Sequence, residues 1–244
     1  MPPARIISLV PSLTELVWWL GAKDHLAGRT RFCTEPAGQI ERVPIMGGTK
    51  NPDIGRIIAA APDLVIANKE ENRREDVDAL ERAGLDVLLT DPNTVDDALT
   101  MIAQLGALLG REERAANLVA DVRAALSEPP PPSPPRVFVA VWKKPLMGLG
   151  RNAYGHDLLE RTGAVNVLAT RPRYPEVTAE EVAAMRPDLI LLPDEPYPFK
   201  ASDVAAFSGV APARVIDGKL LWWYGPRMPA AIRTLHEMFA STGQ

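Results

Sequence analysis

The sequence predicts an α/β protein made of two similar lobes, each holding a parallel β-sheet. Three observations carry that expectation. Short apolar runs alternate with helical patterns along the 244 residues, as in strands joined by crossover helices. The segment AAAPDLVIA at 59–67 recurs as AAMRPDLILLP at 183–193. The segments around it recur in the same order: RIISLV at 5–10 with RVFVAV at 136–141, TELVWWLGA at 14–22 with HDLLERTGA at 156–164, and LDVLLTD at 85–91 with ARVIDG at 213–218. Pro-Asp-Leu alone is a common helix-to-strand connector, but ordered recurrence points to two lobes.

Each element follows from local chemistry. Residues 5–10 (RIISLV) form a short, mostly apolar run that reads as a buried parallel strand, and Pro11 ends it. Ser12 is expected to cap the next helix, with Glu15 completing a capping box and Gly21 closing it at C′. A helix over 54–61 leads into a strand at 63–67, a helix over 71–84 into a strand at 86–90, and a helix over 95–109 follows. The acids early in KEENRRED (69–76) suit a helix N-terminus; this solvated run is also a candidate docking surface. Within 111–128, Leu118, Val119, Val122, Ala125 and Leu126 share one face, giving a helix of about 25 Å. The run PPPPSPP at 129–135 reads as a semi-rigid polyproline spacer. The domain plan is therefore an N-terminal lobe at 1–92, connecting helices and spacer at 93–135, and a C-terminal lobe at 136–244.

Composition excludes several classes. The net charge of −4 argues against a nucleic-acid binder, which carries a basic face. No apolar run is long enough for a transmembrane helix. The single cysteine, Cys33, rules out an internal disulfide framework and a thiolate zinc site. His25, His156 and His236 have no metal-ligand spacing, so no protein-only metal site is expected. There is no nucleophile elbow and no phosphate-binding loop, so no catalytic residues are assigned. The glycines of 148–155 lack dinucleotide-binding spacing; their loop is expected to approach a ligand or the opposite lobe. In residues 6–10 the apolar run is too short for a secretory h-region. The chain as written therefore reads as cytoplasmic, or as extracytoplasmic if it is a mature form.

Ligands of open α/β sheets lie beyond the carboxyl ends of the strands. The loops there carry Phe32, Cys33, Lys50, Asn51, Asn68, Lys69, Trp142, Tyr154, Tyr174, Tyr197, Trp222, Trp223 and Arg227. Flat aromatic rings can cover a planar ligand, and the cations can meet carboxylates or phosphates. Phe32, Tyr174 and one of Trp222 or Trp223 are expected to give apolar contact, with Lys50, Lys69 and Arg227 facing polar groups on the rim. The competing expectation is that Trp222 and Trp223 end a strand, alternation sending one into the core. Cys33 equally suits a small residue packed in a loop.

Taken in order, RIISLVPSLTELVWWLGA, NPDIGRIIAAAPDLVIA, LERAGLDVLLTD, GRNAYGHDLLERTGAVNVLA, VTAEEVAAMRPDLILL and GPRMPAAIRTL resemble the helical-backbone metal receptor superfamily. Its members are the binding proteins of transport systems for cobalamin, haem and ferric siderophores. The resemblance spans nearly the whole chain. It implies two Rossmann-like lobes joined by a single rigid backbone helix, with the ligand in the cleft between them. The pattern S-L-x-P-S-x-T-E-L at 8–16 is most similar to the cobalamin-binding members of ABC transporters. That implies a substrate-binding protein holding a metal chelate, a corrinoid by preference, in ABC-type uptake or intracellular handling, with no resident cofactor and no enzymatic activity. The implied partners are the chelate and an ABC permease, the protein acting as a monomer. Permease docking in such proteins uses one exposed glutamate per lobe; Glu70, Glu71 or Glu75 suits the first lobe, while Trp223 and Tyr224 stand where the second would carry its own. The alternatives are a ferric siderophore or haem as ligand, or a cytoplasmic enzyme acting on a tetrapyrrole-type chelate, for which Cys33, Glu35 and His156 are the candidate acids or bases.

Overall fold

The computed structural model describes residues 1–242. These form two compact units, one comprising 1–91, 97–120 and 224–226, the other 92–96, 121–223 and 227–242.

The first unit is built on a four-stranded sheet. Its strands are β1 (Ile6–Ser8), β2 (Leu26–Arg29), β3 (Leu64–Asn68) and β4 (Val87–Thr90), ordered β2-β1-β3-β4 and parallel throughout. The helices α1 (Pro11–Val17), α2 (Ile54–Ala59), α3 (Arg74–Arg82) and α4 (Val95–Leu108) lie between or after them. Ile7, Leu9, Met46, Ile57, Val65 and Leu80 form a buried cluster. Strand β2 has no counterpart in the sequence expectation, because LAGR is short and interrupted by Gly28. That glycine is needed: a Cβ there would lie 2.6 Å from the Met46 side chain. The start of α1 also differs from expectation. The helix begins at Pro11, the cap residue is Val10, and no side chain caps it. Pro11 has no N–H to satisfy and its fixed φ suits the first turn, so Ser12 is drawn inside the helix and buried. The helix runs on through a π-helical turn, Trp18–Ala22, and breaks at Gly21, whose φ is +85°.

The second unit has β5 (Arg136–Trp142), β6 (Met147–Gly148), β7 (Val165–Asn166), β8 (Leu189–Pro193) and β9 (Ala213–Ile216). Strands β5, β8 and β9 are parallel neighbours and β7 pairs parallel with β5. Only the two-residue edge strand β6 is antiparallel. Between the two sheets in sequence comes α5 (Glu112–Leu126), and the unit boundary at 120/121 falls inside it. The segment expected as a connector is thus divided between the units rather than forming a third body. The helices α6 (Tyr154–Arg161), α7 (Ala179–Ala184), α8 (Lys219–Trp222) and α9 (Met228–Thr242) complete the unit, and Phe138, Ala140, Leu168, Ile190, Leu192 and Phe207 share a buried cluster.

The proline run is not a free spacer. Pro131 is buried, and a Cβ on Gly163 (φ +87°) would collide with its ring. The Pro135 carbonyl accepts a hydrogen bond from Val165 N–H at 2.8 Å. Nor do Trp222 and Trp223 end a strand: Trp222 closes the short helix α8.

The recurring Pro-Asp-Leu has a physical content. In the first unit the Asp63 carboxylate accepts hydrogen bonds from the Ala4 and Arg5 N–H groups, both at 2.9 Å, while the Arg5 guanidinium donates to the Ala60 carbonyl. In the second, Asp188 accepts from Arg136 N–H at 2.8 Å, and the Arg136 guanidinium donates to the Met185 and Arg186 carbonyls. Both locks tie the start of the first strand to the loop entering the central one.

Candidate functional site

At the carboxyl edge of the first sheet, amide side chains hold the loops. Asn72 N–H donates to the Asn68 carbonyl at 2.9 Å, and the Asn72 side-chain carbonyl accepts from Asn68 N–H at 2.8 Å. The Asn72 Nδ2 donates to the carbonyls of Thr49 (2.9 Å) and Leu9 (3.3 Å). One side chain thus ties the ends of β1 and β3 to the 47–52 loop. Asn68 is fully buried. Its Oδ1 accepts from Glu70 and Glu71 N–H and its Nδ2 donates to Thr90 Oγ1, so it shapes the loop from within instead of presenting its amide to a ligand.

Lys50 and Lys69 are exposed. Lys50 Nζ donates to the Glu70 carbonyl at 2.5 Å and Lys69 pairs with Asp91 at 2.7 Å. Glu71 is half-buried, and its carboxyl is pushed up by desolvation, with Lys50 pulling the other way. Asn51 is exposed, and its backbone carbonyl accepts from Gly48 N–H at 3.1 Å. Phe32 is 55% exposed and sits beside Gly48, where a Cβ would come within 3.3 Å of its ring.

Next to Phe32, Cys33 goes inward. Its thiol is fully buried, with Thr14 Oγ1 at 3.1 Å and Thr30 Oγ1 at 3.2 Å. Burial pushes the thiol above its ordinary value. That is packing chemistry. The loop is held by buried Arg29, whose guanidinium donates to the Ile40, Thr30 and Cys33 carbonyls. Sequence reasoning missed Arg29 because β2, which it ends, carries no local period, and Asn72 because it lies in the run read as a helix over 71–84.

The second sheet's carboxyl edge is aromatic. Trp142, the last residue of β5, is 41% exposed and packs edge-on against Tyr197, their centroids 5.2 Å apart. Tyr197 packs in turn on buried Phe199 at 4.7 Å. Beside them Lys143 pairs with Asp203 at 2.5 Å. Tyr154 does not join this group. It is buried at the start of α6, where desolvation and the nearby Asp157 push its phenol far up.

Tyr174 is half-buried beneath the Arg173 guanidinium at 5.6 Å. Backbone hydrogen bonds lace this loop to the one after β6: Arg151 N–H to Arg171 O, Gly150 N–H to Arg173 O, and Arg173 N–H to Arg151 O. A Cβ at Gly150 would collide with the Arg171 carbonyl. The glycine spacing at 148–155 therefore serves close approach within the unit: Gly148 faces the Phe138 ring, Gly150 this backbone, and Gly155 the Trp222 ring.

Trp222 and Trp223 converge on one residue the sequence reading did not single out. The Trp222 indole donates to the Glu195 carbonyl at 2.7 Å, and the Trp223 indole to the Glu195 carboxylate at 2.5 Å. Trp223 is buried, with Lys219 and Arg227 each 5.3 Å from its ring centroid. Desolvation raises the Glu195 carboxyl to about 7, against lowering by the Trp223 hydrogen bond and Lys219.

The histidines stay apart. His25 Nδ1 meets the Pro3 carbonyl at 2.7 Å, and His156 lies 3.1 Å from Asn166 Nδ2. Among the described residues no three His, Cys, Asp or Glu side chains gather as metal ligands. No helix among them is long and apolar enough to cross a membrane.

Known proteins agree with this architecture. Residues 6–206 match the family described as periplasmic binding protein. A vitamin B12-binding protein of Salmonella typhimurium is 30% identical over 195 residues, covering 77% of this chain and 71% of the relative. An ABC transporter substrate-binding lipoprotein of Bacillus subtilis is 27% identical over 257 aligned positions, covering 96% of this chain and 79% of the relative. The crystal structure of a periplasmic heme-binding protein from Pseudomonas aeruginosa superposes with a TM-score of 0.81 at 26% identity, covering 98% and 93% of the two chains. With a match across most of its length and the two-sheet plan those relatives share, the chain belongs to the periplasmic binding protein family.

Proposed function

We propose that this protein is the substrate-binding component of an ABC-type uptake system and that its ligand is a metal chelate, a corrinoid by preference. The observation that carries the reading is the aromatic edge of the second sheet, Trp142 set against Tyr197 with its ring half in solvent, in a chain 30% identical to a vitamin B12-binding protein. A flat, partly exposed indole at a strand end suits the apolar periphery of a large planar macrocycle. The metal would stay with the chelate's own donors, so the protein brings no resident cofactor and performs no chemistry on its ligand. The relatives' roles favour a compartment outside the cytoplasm and a permease as partner of the monomeric protein.

Visible absorption and calorimetric titrations with cyanocobalamin, haemin and a ferric hydroxamate siderophore test this reading. Saturable one-to-one binding of cyanocobalamin, tighter than the other two, is the expected result. Tighter haemin binding would move the assignment to the second reading, which the heme-binding relative favours. Binding of none of the three would overturn the proposal. Release of the native gene product by osmotic shock tests the compartment.

A further inference from the structure

Glu195 lies just past β8, in the loop after Pro193, next to the end of β9, since Pro193 and Ile216 are paired in register. Its two ends do different work. The backbone carbonyl receives the Trp222 indole and the side-chain carboxylate the Trp223 indole. The fit is close: a Cβ on Gly218 would stand 2.5 Å from the Glu195 Cγ, so only glycine lets the two loops meet. Asp194 reinforces the junction by accepting from Gly218 N–H at 2.8 Å.

Charged groups face Glu195 from each neighbouring element. Asp194 stands beside it, Asp217 follows β9 and Lys219 opens α8. Arg227, just before α9, joins Lys219 over the Trp223 ring. With all of these ionised the cluster carries one net negative charge; protonating Glu195 makes it neutral.

We propose that Glu195 is a positioning residue: its carboxylate sets the orientation of Trp223, and through that ring the two cations over it, so that the protonation of Glu195 changes the affinity of the adjoining ligand loops. The physical step is small and specific. An ionised carboxylate accepts a charge-assisted hydrogen bond from the indole, roughly twice as strong as one to a neutral acid. Because the group is desolvated, its change of state falls near neutrality. Nothing in the established family membership assigns this role to the position, and its binding arm rests on the chelate reading above.

Two measurements test it. In the ligand-free protein, intrinsic tryptophan emission is followed from pH 5 to 9. The expected result is a transition centred near 7 that is lost in both Glu195→Gln and Trp223→Phe and kept in Trp142→Phe. A transition that survives Glu195→Gln, or none in the wild type, overturns the proposal without reference to any ligand. Calorimetry with cyanocobalamin at pH 6 and pH 8 then reads the consequence. The wild type is expected to bind about fivefold more weakly at pH 6, the loss of one charge-assisted bond, while Glu195→Gln binds equally at both. Equal wild-type affinity at the two pH values overturns the coupling to binding. Should no chelate bind, the chelate reading fails, and the emission transition still decides whether Glu195 positions Trp223.

Discussion

The two units repeat each other at one edge of their sheets and part company at the other. At the amino edge, Arg5 with Asp63 and Arg136 with Asp188 make the same lock, down to a guanidinium on the carbonyls of the loop before the proline. At the carboxyl edge the side chains described above differ. The first unit ties its loops with buried amides, Asn68 and Asn72; the second packs Trp142 edge-on against Tyr197 and turns two indole N–H groups onto Glu195. The amino-edge lock satisfies backbone groups that any such unit must satisfy. In open α/β sheets the carboxyl edge is where ligands lie, so there two such units are free to differ.

Breaking the first unit's edge should have the largest effect. Asn72→Ala orphans the Asn68 N–H and the carbonyls of Leu9 and Thr49 in a buried setting. A loss of about 3 kcal/mol is expected, read by urea denaturation. The second unit's edge should answer in binding. Trp142→Ala is expected to cost about 1–3 kcal/mol of chelate affinity, the range for an aromatic anchor, with little change in stability. If Phe32→Ala cost as much, the ligand would be shared evenly between the edges, contrary to the asymmetry.

The amino-edge locks allow a finer comparison. Asp63 accepts two N–H groups and Asp188 one. Asp63→Ala should therefore be the more destabilising, at about 1–2 kcal/mol against about 1 kcal/mol. Equal losses would mean that the strand-entry geometry, not the hydrogen-bond count, sets the cost.

Next comes pH. The Glu195 carboxyl is raised from 4.5 to about 7 in the folded state, so folding favours its protonated form. Its contribution is fully present below about 4.5 and is lost as pH rises through about 7. Glu195→Gln should thus melt higher than wild type at pH 8 and at the same temperature at pH 5. The smallest effect expected is at Cys33: buried and pushed up in pKa, it should resist alkylation at pH 8 until the protein unfolds.

Most of the element order was legible in the sequence because it rests on local periodicity. The runs at 63–67 and 86–90 lie within a residue of β3 and β4, and the helix read over 95–109 matches α4. Less was legible at the edges. Strand β2 escaped because four residues with a glycine carry no period; it exists only because β1 offers it hydrogen bonds. The cap at Ser12 was misread because the Ser-x-x-Glu spacing is a local signal, and Pro11 at the first helical position moved the cap two residues back, to Val10. Trp142 and Tyr197 are legible only as residues of separate carboxyl-end loops; that their rings meet is set by tertiary packing.

By itself, then, the sequence determined what depends on neighbours in the chain: the alternation of strands and helices, the repetition that makes two parallel sheets, and the set of loops at their carboxyl ends. Tertiary structure alone decided which side chains in those loops face outward. Phe32 and Cys33 are adjacent, yet one ring is half in solvent while the next thiol is sealed between Thr14 and Thr30. Trp222 and Trp223 both turn to Glu195, some 27 and 28 residues earlier in the chain. The physical reason is that burial of a loop residue is set by which distant backbone it can reach and satisfy, and no local period encodes that distance.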